Sequence, residues 1–121
     1  MMKRSLLVSM IALVVALSVA VAFAAGDIAK GKALFKDTSL GTNGKSCNTC
    51  HPDGSGINGQ KGSYKIMNNK LATVEDAVNF CIEKALRGKP LPKDSQKMKD
   101  IVSYIKILDG KKRKKKIIKG C

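Results

Sequence analysis

The sequence predicts a small all-α domain of three or more helices whose loops need something besides protein to order them. Three observations lead there. Apolar residues recur at helical spacing through Val74, Ala77, Val78, Cys81, Ile82, Ala85 and Leu86, and again through Met98, Ile101, Val102, Ile105 and Leu108. No run of alternating apolar and polar residues marks a half-buried strand. The stretch Asp37–Gly62 is rich in Gly, Ser, Asn and Thr and reads as loop.

Taken in order, the first helix is expected over Asp27–Phe35, with Asp27 as its cap and Ile28, Leu34 and Phe35 as its apolar contacts. Gly31 lowers the propensity of this helix, which implies a close approach by another group. Ser63–Lys70 has no clear period and supplies only Tyr64, Ile66 and Met67 as large apolar residues. Thr73 is placed to cap the second helix, with Glu75 and Asp76 in its first turn and Arg87-Gly88 at its end. Lys89-Pro90-Leu91-Pro92 is a stiff, non-helical connector. The last helix is expected over Ser95–Leu108, capped by Asp94 or Ser95 and stopped by Gly110.

The segment with the strongest chemical content is Cys47-Asn48-Thr49-Cys50-His51. C-x-x-C-H is the attachment signature of c-type haem. Two thiols at this spacing can each form a thioether to one vinyl group of the same porphyrin, and the following imidazole then lies under the iron. Cys47 and Cys50 are therefore the expected covalent anchors of one haem c, and His51, the single histidine of the chain, the proximal iron ligand. A thioredoxin-like redox pair fits poorly, because glycines crowd the motif and no apolar strand precedes it. A structural zinc site would want four ligands, and Cys81 and Cys121 are isolated in sequence.

The N-terminus agrees with this chemistry. Lys3 and Arg4 form a basic start, Leu6–Val21 is apolar, and Ala22-Phe23-Ala24 fits a small-x-small cleavage site. The expected organisation is a signal peptide at 1–24, a haem domain at 25–110 and a basic tail at 111–121. An uncleaved anchor over Ser5–Ala25 is the alternative. Either way the domain is expected outside the cytoplasm, in the periplasm, where haem is attached. One small domain remains from the 121-residue chain, with no Trp and with Phe35, Phe80, Tyr64 and Tyr104 as its aromatic residues. A protein that small buries little surface unless a ligand adds to its core.

The chain carries a formal charge of +14, and Lys and Arg crowd residues 111–119. A run of like charges reads either as a solvated tail or as a surface for anionic headgroups or an acidic redox protein. Ile117 and Ile118 interrupt the tail and suit shallow contact with a membrane surface. An exported protein does not meet nucleic acid, so none is expected as a partner. Cys121 ends the chain with no evident partner.

The layout resembles the class I cytochrome c domain over most of Asp27–Leu108. The resemblance rests on Gly31 and Phe35, on the haem motif, and on Asp100-Ile101-Val102-Ser103-Tyr104-Ile105. It implies that the first and last helices cross with Gly31 against Tyr104. A second, local resemblance covers Val78-Asn79-Phe80-Cys81, Gly88-Lys89-Pro90-Leu91-Pro92 and Ser95-Gln96-Lys97-Met98. These segments are similar to haem domains of Sox-system sulfur-oxidising cytochromes and thiosulfate dehydrogenases, in which a cysteine corresponding to Cys81 is a distal haem ligand. This chain has one haem motif where many of those proteins have two.

The second axial position decides the chemistry of the iron. Leu91-Pro92 stands where many class I cytochromes have Met-Pro. Three candidates follow: Cys81, central in an apolar stripe; Met67, isolated in a polar segment; and, behind these, Met98, whose spacing marks it as a core residue. A lysine ligand or an open site is the remaining option. The function expected is a monohaem electron carrier rather than an enzyme, serving acidic extracytoplasmic redox partners. The alternative is a haem enzyme acting on small sulfur compounds through a His/Cys-ligated iron.

Overall fold

The computed structural model describes residues 25–113. The expected signal segment and residues 114–121, with Ile117, Ile118 and Cys121, lie outside the described residues. In chain order the elements are α1 (Ile28–Lys36), a 3-10 turn (Thr38–Leu40), α2 (Cys47–Cys50), a second 3-10 turn (Pro52–Gly54), β1 (Tyr64–Ile66), β2 (Asn69–Leu71), α3 (Val74–Lys84) and α4 (Gln96–Lys106). The fold is mostly helical, as expected, with one small hairpin.

Each long helix starts where a capping side chain stands. Asp27 accepts from the Lys30 amide, Thr73 from that of Asp76 and Ser95 from that of Met98. α3 ends at Lys84, earlier than Arg87-Gly88 suggests, and Arg87 takes a positive φ of 55° in the exit turn.

α1 and α4 cross at Gly31. A Cβ placed there would lie 1.9 Å from the Asp100 carbonyl oxygen and 2.9 Å from Cβ of Tyr104, so only glycine lets the two backbones meet. One turn on, Phe35 packs edge-on against Tyr104, with ring centroids 5.2 Å apart at 67°. At the start of α1, the buried Asp100 carboxylate accepts from the Asp27 amide and from Gln96 Nε2, both at 2.8 Å. The buried carboxylate is thus held by one donor at the cap of α1 and one on α4. Phe35, Ile82, Leu86, Met98 and Ile101 are the largest fully buried side chains around this crossing.

The connector after α3 is held by Asn79. Its Nδ2 donates to the Leu91 carbonyl at 2.9 Å and its Oδ1 accepts from the Leu91 amide at 2.8 Å. The chain leaving α4 returns to the loop that follows the cysteine motif. Gly59 N donates to Leu108 O, Gly110 N to Ile57 O, and Arg113 to both Ser55 Oγ and Asp53 O.

The hairpin is the element the periodicity does not reveal. β1 and β2 pair antiparallel with Tyr64 opposite Leu71, Lys65 opposite Lys70 and Ile66 opposite Asn69. Met67 and Asn68 both have positive φ, 47° and 68°, the geometry of a two-residue type I′ turn. Three-residue strands are too short to show alternation, and a facing lysine pair works against the pairing. Two such strands are marginal alone, so this hairpin depends on its contact with α3.

Gly31→Ala is expected to destabilise the protein by about 1–3 kcal/mol, the usual range for overpacking. That corresponds to a fall in Tm of roughly 4–8 °C per kcal/mol. Gly62→Ala, at a position with open space around it, serves as the near-neutral control. Equal denaturation curves for the two variants would contradict the crossing described.

Candidate haem site

Ser46 stands before α2, and its amide donates to Thr49 Oγ1 at 3.0 Å, which closes the first turn of the motif. The His51 amide donates to Cys47 O at 3.0 Å, so the imidazole leaves the chain directly under this turn. The next residues reverse direction. Asp53 has φ 50°, and its amide donates to Asn48 Oδ1 at 2.9 Å. Gly54, at φ 77°, has Leu108 where a side chain would stand, with Cδ1 2.5 Å from an added Cβ. This tight return carries the Ser55 carbonyl to His51.

His51 Nδ1 lies 3.0 Å from that carbonyl oxygen. A carbonyl can only accept, so Nδ1 carries the hydrogen and the lone pair is on Nε2. This fixes the tautomer and orientation a metal-binding imidazole needs.

Cys47, Cys50 and His51 line a cavity of about 480 Å³. Its apolar wall comes from Phe35, Ile57, Val74, Ala77, Val78, Leu86 and Ile105. The stripe of α3 that the sequence marks out therefore faces the cavity as well as the core, and Cys81 is part of that wall. Tyr64, Lys61, Lys65 and Met67 complete it from the loop and the hairpin.

The three distal candidates differ in placement. Cys81 is half-buried on a rigid helix, where its carbonyl accepts from the amides of Ala85 and Leu86. Met67 sits at the hairpin tip, 79% exposed, at the cavity rim. Met98 is fully buried among the core side chains and is not part of the cavity wall. Leu91, at the Met-Pro position, is clamped to Asn79 and packs against the core.

The thiols feel this setting. Burial, with the Cys81 side chain nearby, pushes the Cys47 thiol up to about 11. Burial raises the Cys81 thiol as well. Among the described residues no group of three or more His, Cys, Asp or Glu is arranged to hold a metal ion by itself.

The family model for the SoxA/TsdA cytochrome c domain matches residues 30–109. The chain belongs to this family. It is a haem c electron-carrying domain, and the cofactor is covalently bound haem c. Comparison with curated proteins and with solved structures yields no match. Among the described residues no helix is long and apolar enough to cross a membrane.

The residues present fit the cofactor. An apolar slot, an imidazole with a free Nε2, two thiols at haem spacing and a buried Tyr64 hydroxyl without a partner suit a flat apolar ring with polar groups at its edge. Sequence reasoning overlooks three contributors: the Ser55 carbonyl, Asn79 and Tyr64. Asn79 and Tyr64 are visible in the sequence only as residue types. Their roles come from contacts that the fold makes.

Met98→Leu conserves volume, so it should cost less than about 1.5 kcal/mol. It should leave the axial-ligand bands of the haem spectrum unchanged. Loss or displacement of those bands in this variant would return Met98 to the iron.

Proposed function

We propose that Cys47 and Cys50 bind the haem as thioethers, that His51 Nε2 and the Cys81 sulfur take the two axial positions, and that the domain carries single electrons between extracytoplasmic partners. The observation that carries this reading is the sharing of one apolar cavity by the oriented imidazole of His51 and the thiol of Cys81. The bound cofactor supplies a one-electron couple. The chain supplies position, dielectric and ligand charge.

Cys81 is favoured over Met67 by rigidity. A ligand on a hydrogen-bonded helix keeps its place, whereas a largely exposed side chain on a marginal hairpin does not. An anionic sulfur ligand stabilises the oxidised state and holds the potential low. Ser55 holds the His51 tautomer, and Leu86, Val78 and Ile105 keep water from the cavity.

Export follows from the basic, apolar and small-residue pattern over residues 1–24 and from the site of haem attachment, outside the cytoplasm. Lys61 and Lys65 line the cavity and Lys70 faces Lys65 across the hairpin, so positive charge gathers at this face. This charge suits an acidic redox partner. A second reading, oxidation of small sulfur compounds, draws on the family match and on Cys81 in the cavity wall.

Cys81→Ala should raise the reduction potential by more than about 59 mV, the shift that changes a one-electron equilibrium tenfold. An unchanged potential would remove Cys81 from the iron. If thiosulfate reduces the wild-type haem and fails to reduce that of Cys81→Ala, the sulfur-oxidising reading replaces the carrier.

Reversing the hairpin charges tests steering. Lys65→Glu with Lys70→Glu should slow electron exchange with an acidic partner about tenfold at low salt. The difference should vanish at high ionic strength. Equal rates at low salt would place the docking surface elsewhere.

A further inference from the structure

The Tyr64 hydroxyl is the described side-chain polar atom that is buried without a hydrogen-bond partner. Tyr64 belongs to β1, and its ring forms part of the cavity wall. The Lys61 amide and the Glu75 carboxylate come near enough to influence its ionisation, yet neither completes a hydrogen bond with it. An unpaired buried hydroxyl costs about 1–3 kcal/mol. A polar group that enters the cavity with the cofactor is the natural partner for it.

The chemistry of that partner follows from what haem c carries. The ring is apolar apart from its iron and two carboxylates. The iron is provided for by His51 and Cys81, and the thioether positions by Cys47 and Cys50. The carboxylates are the cofactor groups for which these four residues make no provision. Lys61 and Lys65 flank Tyr64 in the cavity wall and come from the same short segment. A phenol donor sharing a cavity wall with two lysines is a carboxylate-binding set, because charge-assisted bonds to an ionised acceptor are the strong ones.

Resting on the haem reading above, we infer that Tyr64 Oη donates a hydrogen bond to a haem carboxylate, with Lys61 and Lys65 as its neighbouring cations. This makes Tyr64 a cofactor-positioning residue and ties the hairpin to the cofactor. It also explains how a hairpin with a facing lysine pair and a non-glycine type I′ turn is held in place. The hydroxyl draws negative charge away from the ring edge, so its loss stabilises the ferric form.

The test uses holoprotein matured in a host that attaches c-type haem, with ¹³C at the haem carboxyl carbons. Oxidised-minus-reduced infrared spectra isolate the labelled carboxylate bands. Tyr64→Phe should shift those bands and lower the reduction potential while leaving the axial-ligand bands in place. Because a variant can fail to fold, the wild type gives a second reading: exchange into D₂O should shift the same labelled bands. Labelled bands that respond to neither change overturn the inference. Axial-ligand bands that move in Tyr64→Phe while the labelled bands stay also overturn it, since the hydroxyl would then serve the distal ligand. Wild-type protein without covalent haem would instead overturn the underlying haem reading, and this inference with it.

Discussion

At Gly31 the backbones of α1 and α4 meet with no side chain between them, and that contact sets the two helices that carry Phe35 and Ile105 into the cavity wall. The close approach brings Phe35 onto Tyr104 and Asp27 onto Asp100. Phe35 and Ile105, one from each helix, then form adjoining parts of the slot. α3 packs on α4 through the same core and turns the other edge of its stripe toward the cavity. The residues between α1 and α3, which carry the cysteine motif and the hairpin, are laid over this frame. A small domain with few aromatic residues thus builds a slot whose filling completes its core.

Two sides of the slot are controlled differently. On the motif side, a reversed turn at Asp53 and Gly54 brings the Ser55 carbonyl to His51, and the strand leaving α4 is hydrogen-bonded to that turn through Arg113. The imidazole is therefore oriented by backbone atoms that α4 holds in place. On the α3 side, Cys81 is fixed by the regular hydrogen bonding of the helix, and Asn79 anchors the following connector. The chain belongs to the SoxA/TsdA cytochrome c domain family, whose cofactor is covalently bound haem c. The charge and softness of the proposed Cys81 ligand would act on the potential together with the burial and hydrogen bonds that the fold supplies.

Much of this was legible in the sequence because it is local chemistry. Asp27, Thr73 and Ser95 announce the helix starts, Gly31 announces a close contact, and the motif names its own cofactor. The helical period of α3 also locates Cys81 on an apolar face, though period alone does not say whether that face meets core or cofactor. The hairpin was not legible. Its strands are three residues long, and Met67 and Asn68 adopt a turn geometry that favours Asn-Gly. Met98 and Met67 look comparable as ligand types, and only tertiary packing separates a buried core residue from an exposed rim residue. The Tyr64 hydroxyl is conspicuous only once the cavity around it exists, since an unsatisfied donor is a property of surroundings.

The near-infrared spectrum of the ferric wild-type holoprotein reports directly whether an iron is held between His51 and Cys81. A low-spin spectrum with a thiolate-to-iron charge-transfer band is the predicted result. A thioether-to-iron band would contradict the account and move the distal ligand to Met67 at the hairpin tip.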